Sequence, residues 1–224
     1  MTFSFSSASL PFYILNLLDT VIQARAITSA LTRYQSDPLK APPWFDIVHA
    51  RNALQHRYLS LPALECPTNR EDAIYDAVRL SLLIYSDMVL FPCPDAAGVK
   101  STLANELTRS LNSCTLHNCS EASSRVLLWV STLGAIAATN TPYRAWYVTK
   151  CKMCLQLLEI EDCTRYLRLM KCFLWWDYVC EGPAITLWQE TRNFENVVLR
   201  CEELPVGDAS PVYIPLLEDS PTPP

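Results

Sequence analysis

The chain has 224 residues, 50% of them hydrophobic and 18% charged, a composition that excludes a disordered chain or a coiled coil and fits one or at most two globular domains. With 4 glycines and neither GxGxxG nor GxxxxGKS/T, it lacks the phosphate-cradling motifs of dinucleotide-binding proteins and P-loop NTPases. The net charge of −5 belongs to the end of the chain: residues 1–200 hold 18 basic and 18 acidic side chains, and residues 201–224 hold five acidic and none basic. A neutral body with 5 lysines has no basic stripe to neutralise phosphates, so no direct DNA binding by this chain alone is expected.

Apolar residues recur with a period near 3.6, and period-2 alternation is scarce, so the fold predicted is all-α, a globular bundle of about seven to nine helices. Pro11 opens the first helix. Its apolar side of Ile14, Leu17, Leu18, Val21, Ile22 and Leu31 runs to about Tyr34, and Asp37-Pro38 with Pro42-Pro43 closes it. From Trp44 a second helix places Ile47, Ala50, Leu54, Tyr58 and Leu61 on one side, with Arg51 and Arg57 turned away, and ends at Pro62. Asn69 caps a long third helix, with Glu71 and Asp72 at the positive end of its dipole. The apolar set Ile74, Val78, Leu82, Tyr85 and Val89 continues it to Pro92 and Pro94.

A shorter helix follows with Leu103, Leu107 and Leu111, then a polar loop from Cys114 to Ser120. Residues 126–138 are apolar almost all round and predict the central, buried helix of the domain. Thr141-Pro142 reads as N-cap and first helical residue of a helix carrying Trp146, Cys154, Leu157 and Leu158. Residues 166–180 predict another helix, which Gly182-Pro183 separates from a last short one around Trp188. After Leu204 come six prolines and no basic residue, which predicts a disordered acidic tail. The organisation expected is an N-terminal helix and Pro-rich turn at 1–43, a helical domain at 44–203 and the tail at 204–224.

Ten cysteines, at 66, 93, 114, 119, 151, 154, 163, 172, 180 and 201, raise the question of compartment. Met1 to Ala24 holds no Lys or Arg, so no secretory signal is expected. The most apolar stretch, Val126 to Ala138, has 13 residues and includes Ser131 and Thr132, short of the ~20 that cross a bilayer. In a reducing compartment most of these thiols are expected to be small buried hydrophobes, with disulfides the minor alternative. Cys151 and Cys154 form a CxxC, but a zinc site needs a second such pair, and on a helix these two are i,i+3 neighbours; no metal or other cofactor is expected in this chain.

His49 and His56 lie seven residues apart on one helix near Arg51 and Arg57, without a nucleophile or carboxylate at a fixed spacing. Glu71/Asp72 and Glu159/Glu161/Asp162 lie at helix ends, where dipole and capping effects account for them. No GxSxG, HExxH or kinase signature occurs, so no catalytic residues are assigned and the chain is not expected to be an enzyme. Six tryptophans, five of them in the second half, predict a thick aromatic core, with a ligand pocket between helices as the alternative.

Four strings, ARNALQHRYLSLP (50–62), IYDAVRLSLLIYSDMVLFPCP (74–94), RVLLWVSTLGAIAATNTPYRAWYVT (125–149) and CFLWWDYVCEGPAITLWQE (172–190), together resemble the fungal-specific transcription factor domain, the helical regulatory region of fungal zinc-cluster transcription factors. The similarity covers roughly residues 44–195 and rests on the order and spacing of the motifs. It implies an all-α regulatory domain of a nuclear protein, set in the regulation of secondary metabolism, whose partners are other transcription regulators or coactivators and a small-molecule effector. Arg79, Trp129, Arg144, Trp146, Trp176 and Trp188 match the motifs and are carried over as packing or interaction positions. The family's six-cysteine cluster, basic linker and dimerising heptads are not in this sequence, so zinc would enter only with an upstream cluster. Two alternatives stand beside this reading: a helical module that binds a small molecule or a protein and has no DNA role, and a helical enzyme.

Overall fold

A computed structural model describes residues 12–64, 69–92, 94, 98–112 and 120–193. Among them are eight α-helices and no strand, so the chain is an all-α bundle. The helices are α1 (Phe12–Ser36), α2 (Trp44–Ser60), α3 (Arg70–Tyr85), α4 (Val99–Asn112), α5 (Glu121–Ala137), α6 (Arg144–Leu157), α7 (Cys163–Met170) and α8 (Asp177–Asn193). The tail expected at 204–224 lies outside the described residues.

α5 is the centre, as its composition predicts. It packs on α3, α4, α6 and α8, and its residues Leu127 to Ala135 are buried without a break. Ser120 caps it by accepting the Ser123 N–H. Asn69 likewise caps α3, accepting the Asp72 N–H at 2.9 Å. Past Tyr85 the same helix widens into a π-turn, Ser86–Leu90, which closes with the Phe91 N–H donating to the Ser86 carbonyl. All five residues of that turn are buried.

α1 belongs to the same core. Tyr13 donates to Asp72 on α3, and buried Thr28 shares a hydrogen bond with the Tyr85 hydroxyl at 2.9 Å. Its buried face is Leu17, Thr20, Ala24, Ile27, Thr28 and Leu31, which corrects the expected one: Leu18 is 47% exposed and Ile22 66%. The true stripe includes threonines, whose hydroxyls bond back to the carbonyls four residues earlier, and a purely apolar pattern passes over them. α2 needs a similar correction. Ala50 is exposed, and Arg51 is half-buried with its guanidinium 4.4 Å from the centre of the Phe91 ring, so a cation over an aromatic face occupies a position that hydropathy gives to solvent.

Three boundaries also differ from those predicted. Residues 141–143 form a turn and α6 begins at Arg144. Thr141 donates its hydroxyl to the Ala138 carbonyl at 2.9 Å and accepts the Tyr143 N–H at 3.3 Å, so it makes the expected capping contact, but to the turn that precedes α6. Residues 166–180 are not one helix, because the chain turns at 171–176 to bury Leu174 and Trp175. α8 then runs straight through Gly182-Pro183. Both of those residues are exposed, so the Pro183 ring sits on the solvent side of the helix, away from the core.

Candidate functional site

α5 presents one face to the second half of the chain through Trp129, Thr132 and Ala135, three residues apart in turn, and each holds a polar contact. The Trp129 indole N–H donates to the Leu174 carbonyl at 3.0 Å, and its ring stacks on Phe173 at 5.7 Å. The Thr132 hydroxyl meets the Tyr166 hydroxyl at 3.0 Å, and the Tyr166 ring stacks on Trp188 at 5.5 Å. The Ala135 carbonyl accepts from the Arg144 guanidinium, which also forms a two-pronged pair with Glu190, Nε to Oε2 at 2.9 Å and Nη2 to Oε1 at 3.0 Å. Two separate sequence strings, 125–149 and 172–190, are therefore joined across a single helix face. The Arg144 side chain is 17% exposed and Glu190 37%, so the pair is shielded enough to fix geometry.

Three of the six residues singled out from sequence thus belong to the contacts along this one face of α5: Trp129, Arg144 and, through Tyr166, Trp188. The other three stand apart from it. Trp146 is half-buried on α6 with the Lys150 ammonium 5.8 Å from its ring centre, Trp176 leans on Tyr178 before α8, and Arg79 pairs with Asp76 on α3 at 2.8 Å. Trp129 and Trp188 are buried and act as packing, with no open face for a ligand. His49 and His56 are exposed, and His49 meets Phe45 edge-on at 4.3 Å, one turn away on its own helix.

The Cys151 and Cys154 thiols are both buried. Burial raises the Cys151 thiol, the neighbouring Cys154 adds to the effect, and burial pushes Cys180 up to about 12. The Cys151 and Cys180 thiols are neutral at pH 7, and all three side chains pack as small hydrophobes. Cys163 is half-buried and Cys172 exposed, so the expectation of burial does not extend to them. Among the described residues no group of three or more His, Cys, Asp or Glu is close enough to hold a metal. No described helix is long and apolar enough to cross a membrane.

Residues that sequence reasoning passed over include Glu190, Thr132, Gly134 and Asp87. For Gly134 a signal existed: it is one of 4 glycines in the chain and stands inside an apolar helix. Asp87 sits on the π-turn, 6% exposed, with both carboxylate oxygens buried and no protein donor to either. On the facing helix α2, the Arg51 Nε and the Tyr58 hydroxyl are also buried without partners, while Ser86 donates to the Gln55 side chain. Buried polar groups left without partners cost about 1–3 kcal/mol each. Asp87→Leu is therefore expected to raise stability by about 1–3 kcal/mol, read as a higher urea midpoint at unchanged m-value. A lower midpoint would show that the carboxylate has a donor in solution.

No protein-family model, no curated protein and no solved structure matches the chain.

Proposed function

We propose that this chain is a regulatory module of transcription that works in the nucleus through contacts with other transcription regulators or coactivators. It has no catalytic role and does not read DNA by itself. The observation that carries the reading is the order of the four strings at 50–62, 74–94, 125–149 and 172–190 and their likeness to the regulatory domain of zinc-cluster factors. The fold is compatible with it: the all-α bundle is the architecture that the likeness implies, and the Arg144–Glu190 pair ties the third string to the fourth. The charge distribution also favours protein partners over nucleic acid, since the body is neutral up to residue 200. Regulation of secondary metabolism is the setting that the likeness suggests.

A tethering assay tests this. Residues 1–224 fused to a heterologous DNA-binding domain are expected to change a reporter's output severalfold, up or down, in a fungal host. The unfused chain is expected to leave a mixed-sequence DNA duplex unshifted in an electrophoretic assay. A stable, nuclear fusion that leaves the reporter unchanged would remove the transcriptional reading, and a shifted duplex would remove the reliance on partners.

A further inference from the structure

A cleft of about 250 Å³ opens between the first turns of α5, the end of α6 and the length of α7. Its shape comes from the way α6 ends. Glu159 takes a left-handed conformation (φ 51°), the Ile160 N–H donates back to the Leu155 carbonyl at 3.0 Å, and the Glu159 N–H donates to Gln156 at 3.1 Å. This reversal is the Schellman arrangement, with a glutamate where glycine is usual. Leu158 and Ile160, on either side of that reversal, line the cleft, and Leu169 of α7 joins them, so part of the wall is apolar. Asp162 caps α7 by accepting the Arg165 N–H at 2.7 Å, and that cap sets the register which puts Arg165, Arg168 and Leu169 along the cleft.

Three arginines and one carboxylate line this space: Arg125, Arg165, Arg168 and Glu121. Glu121 pairs with Arg125, one turn along α5. Arg165 gives one N–H to the Glu159 carbonyl at 2.7 Å and keeps the rest of its fork, and no described side chain pairs with Arg168. The cleft therefore carries two more positive charges than negative ones beside an aliphatic wall, in a body that is neutral as a whole. A guanidinium fork is matched by a carboxylate, which accepts two parallel N–H donors. The volume is that of about eight water molecules, below the ~300 Å³ at which drug-sized pockets begin, so the ligand it suits is small.

We propose that this cleft is a binding site for a small organic carboxylate with an apolar body, of about the size of an arylacetate, held by Arg165 and Arg168 with its hydrocarbon part against Leu158, Ile160 and Leu169. The site rests on the cleft alone, so it stands or falls separately from the transcriptional reading. If the two hold together, it is where an anionic effector would act.

The test uses the full chain and phenylacetate as the probe, titrated by calorimetry and followed by arginine side-chain NMR signals. Saturable binding is expected, with the Arg165 and Arg168 Nε–H resonances moving. Arg165→Gln and Arg168→Gln are each expected to weaken it at least fivefold, with Arg33→Gln, on the exposed side of α1, as an unaffected control. Both cleft arginines are exposed, so these variants keep the fold, which circular dichroism checks. The neutral analogue phenylacetamide is expected to bind at least tenfold more weakly than phenylacetate. Equal binding of the amide, equal binding by the two variants, or no saturable binding at all would overturn the proposal. Inorganic phosphate binding as tightly as phenylacetate would overturn the assigned ligand class, because the apolar wall would then contribute nothing.

Discussion

Gly134→Ala is expected to destabilise the protein by about 2–3 kcal/mol, although alanine is the better helix former by about 1 kcal/mol. A methyl group at this position of α5 would stand 2.6 Å from Cζ and 2.8 Å from the hydroxyl oxygen of Tyr147, and closer still to its Cε1. Tyr147 cannot move aside cheaply. It is fully buried on α6, and its hydroxyl donates to the Ala104 carbonyl on α4 at 2.7 Å, so one ring holds three helices together across the glycine. Pushing the ring out costs contacts on both sides and takes the buried Tyr147 hydroxyl from its acceptor, at about 1–3 kcal/mol for that group, while the Ala104 carbonyl keeps the Thr108 hydroxyl. Urea unfolding of Gly134→Ala, Tyr147→Leu and the double variant checks the claim. The double variant should be about as stable as Tyr147→Leu alone, since the clash has gone. A Gly134→Ala protein more stable than the parent would show that Tyr147 does not pack there.

Alkaline pH is expected to unfold the domain well before it affects a protein with exposed tyrosines. Burial raises the hydroxyl pKa of Tyr58, Tyr85, Tyr147 and Tyr166, and it raises the thiols of Cys151 and Cys180. The direction of the effect follows from proton binding. A group whose pKa is raised on folding keeps its proton in the native state while the unfolded chain loses it. The stability it contributes is complete below the unfolded pKa and falls as pH rises beyond it. For the two thiols the loss begins near the ordinary value of 9.0, and for the four phenols near 10.0. Each group then removes up to about 1.4 kcal/mol per pH unit, so by pH 11 the sum is several kcal/mol, a large share of the ~5–15 kcal/mol that holds a domain together. Denaturant midpoints at pH 7, 9, 10 and 11 should be flat to about pH 9 and then fall steeply. A midpoint unchanged at pH 11 would mean that these groups titrate equally in both states.

The class of fold was legible because it rests on periodicity and punctuation. The cap at Asn69 and the apolar run of α5 are local chemistry, and each stands where its residues imply. What escaped depends on contacts between distant segments. The face of α1 is set by Thr20 and Thr28, polar residues that satisfy their own hydroxyls, and hydropathy favours the wrong neighbours, Leu18 and Ile22. Pro183 marks a helix end in any reading of one segment. It lies inside α8 because the position faces solvent, and that is decided by the packing of the opposite side, Cys180, Ala184, Leu187 and Trp188, into the core.

The candidate residues divide in the same manner. Trp129, Arg144 and Trp188 came from motif likeness, and their convergence on α5 was visible only once Glu190, Thr132 and the carbonyls of Ala135 and Leu174 were in place. Arg165 and Arg168 lie in none of the four strings, and Arg125, which opens the third, stands forty residues before Arg165; only the reversal at the left-handed Glu159 sets α7 beside the start of α5.

The measurement that bears most directly on the regulatory reading is the tethering assay run with two chains at matched abundance, the parent and Leu128→Pro, in which proline breaks the buried centre of α5. The expected result is a severalfold change in reporter output with the parent fusion and a much smaller one with the broken fold. Equal output from both, or none from either, would contradict the claim that this folded helical module regulates transcription.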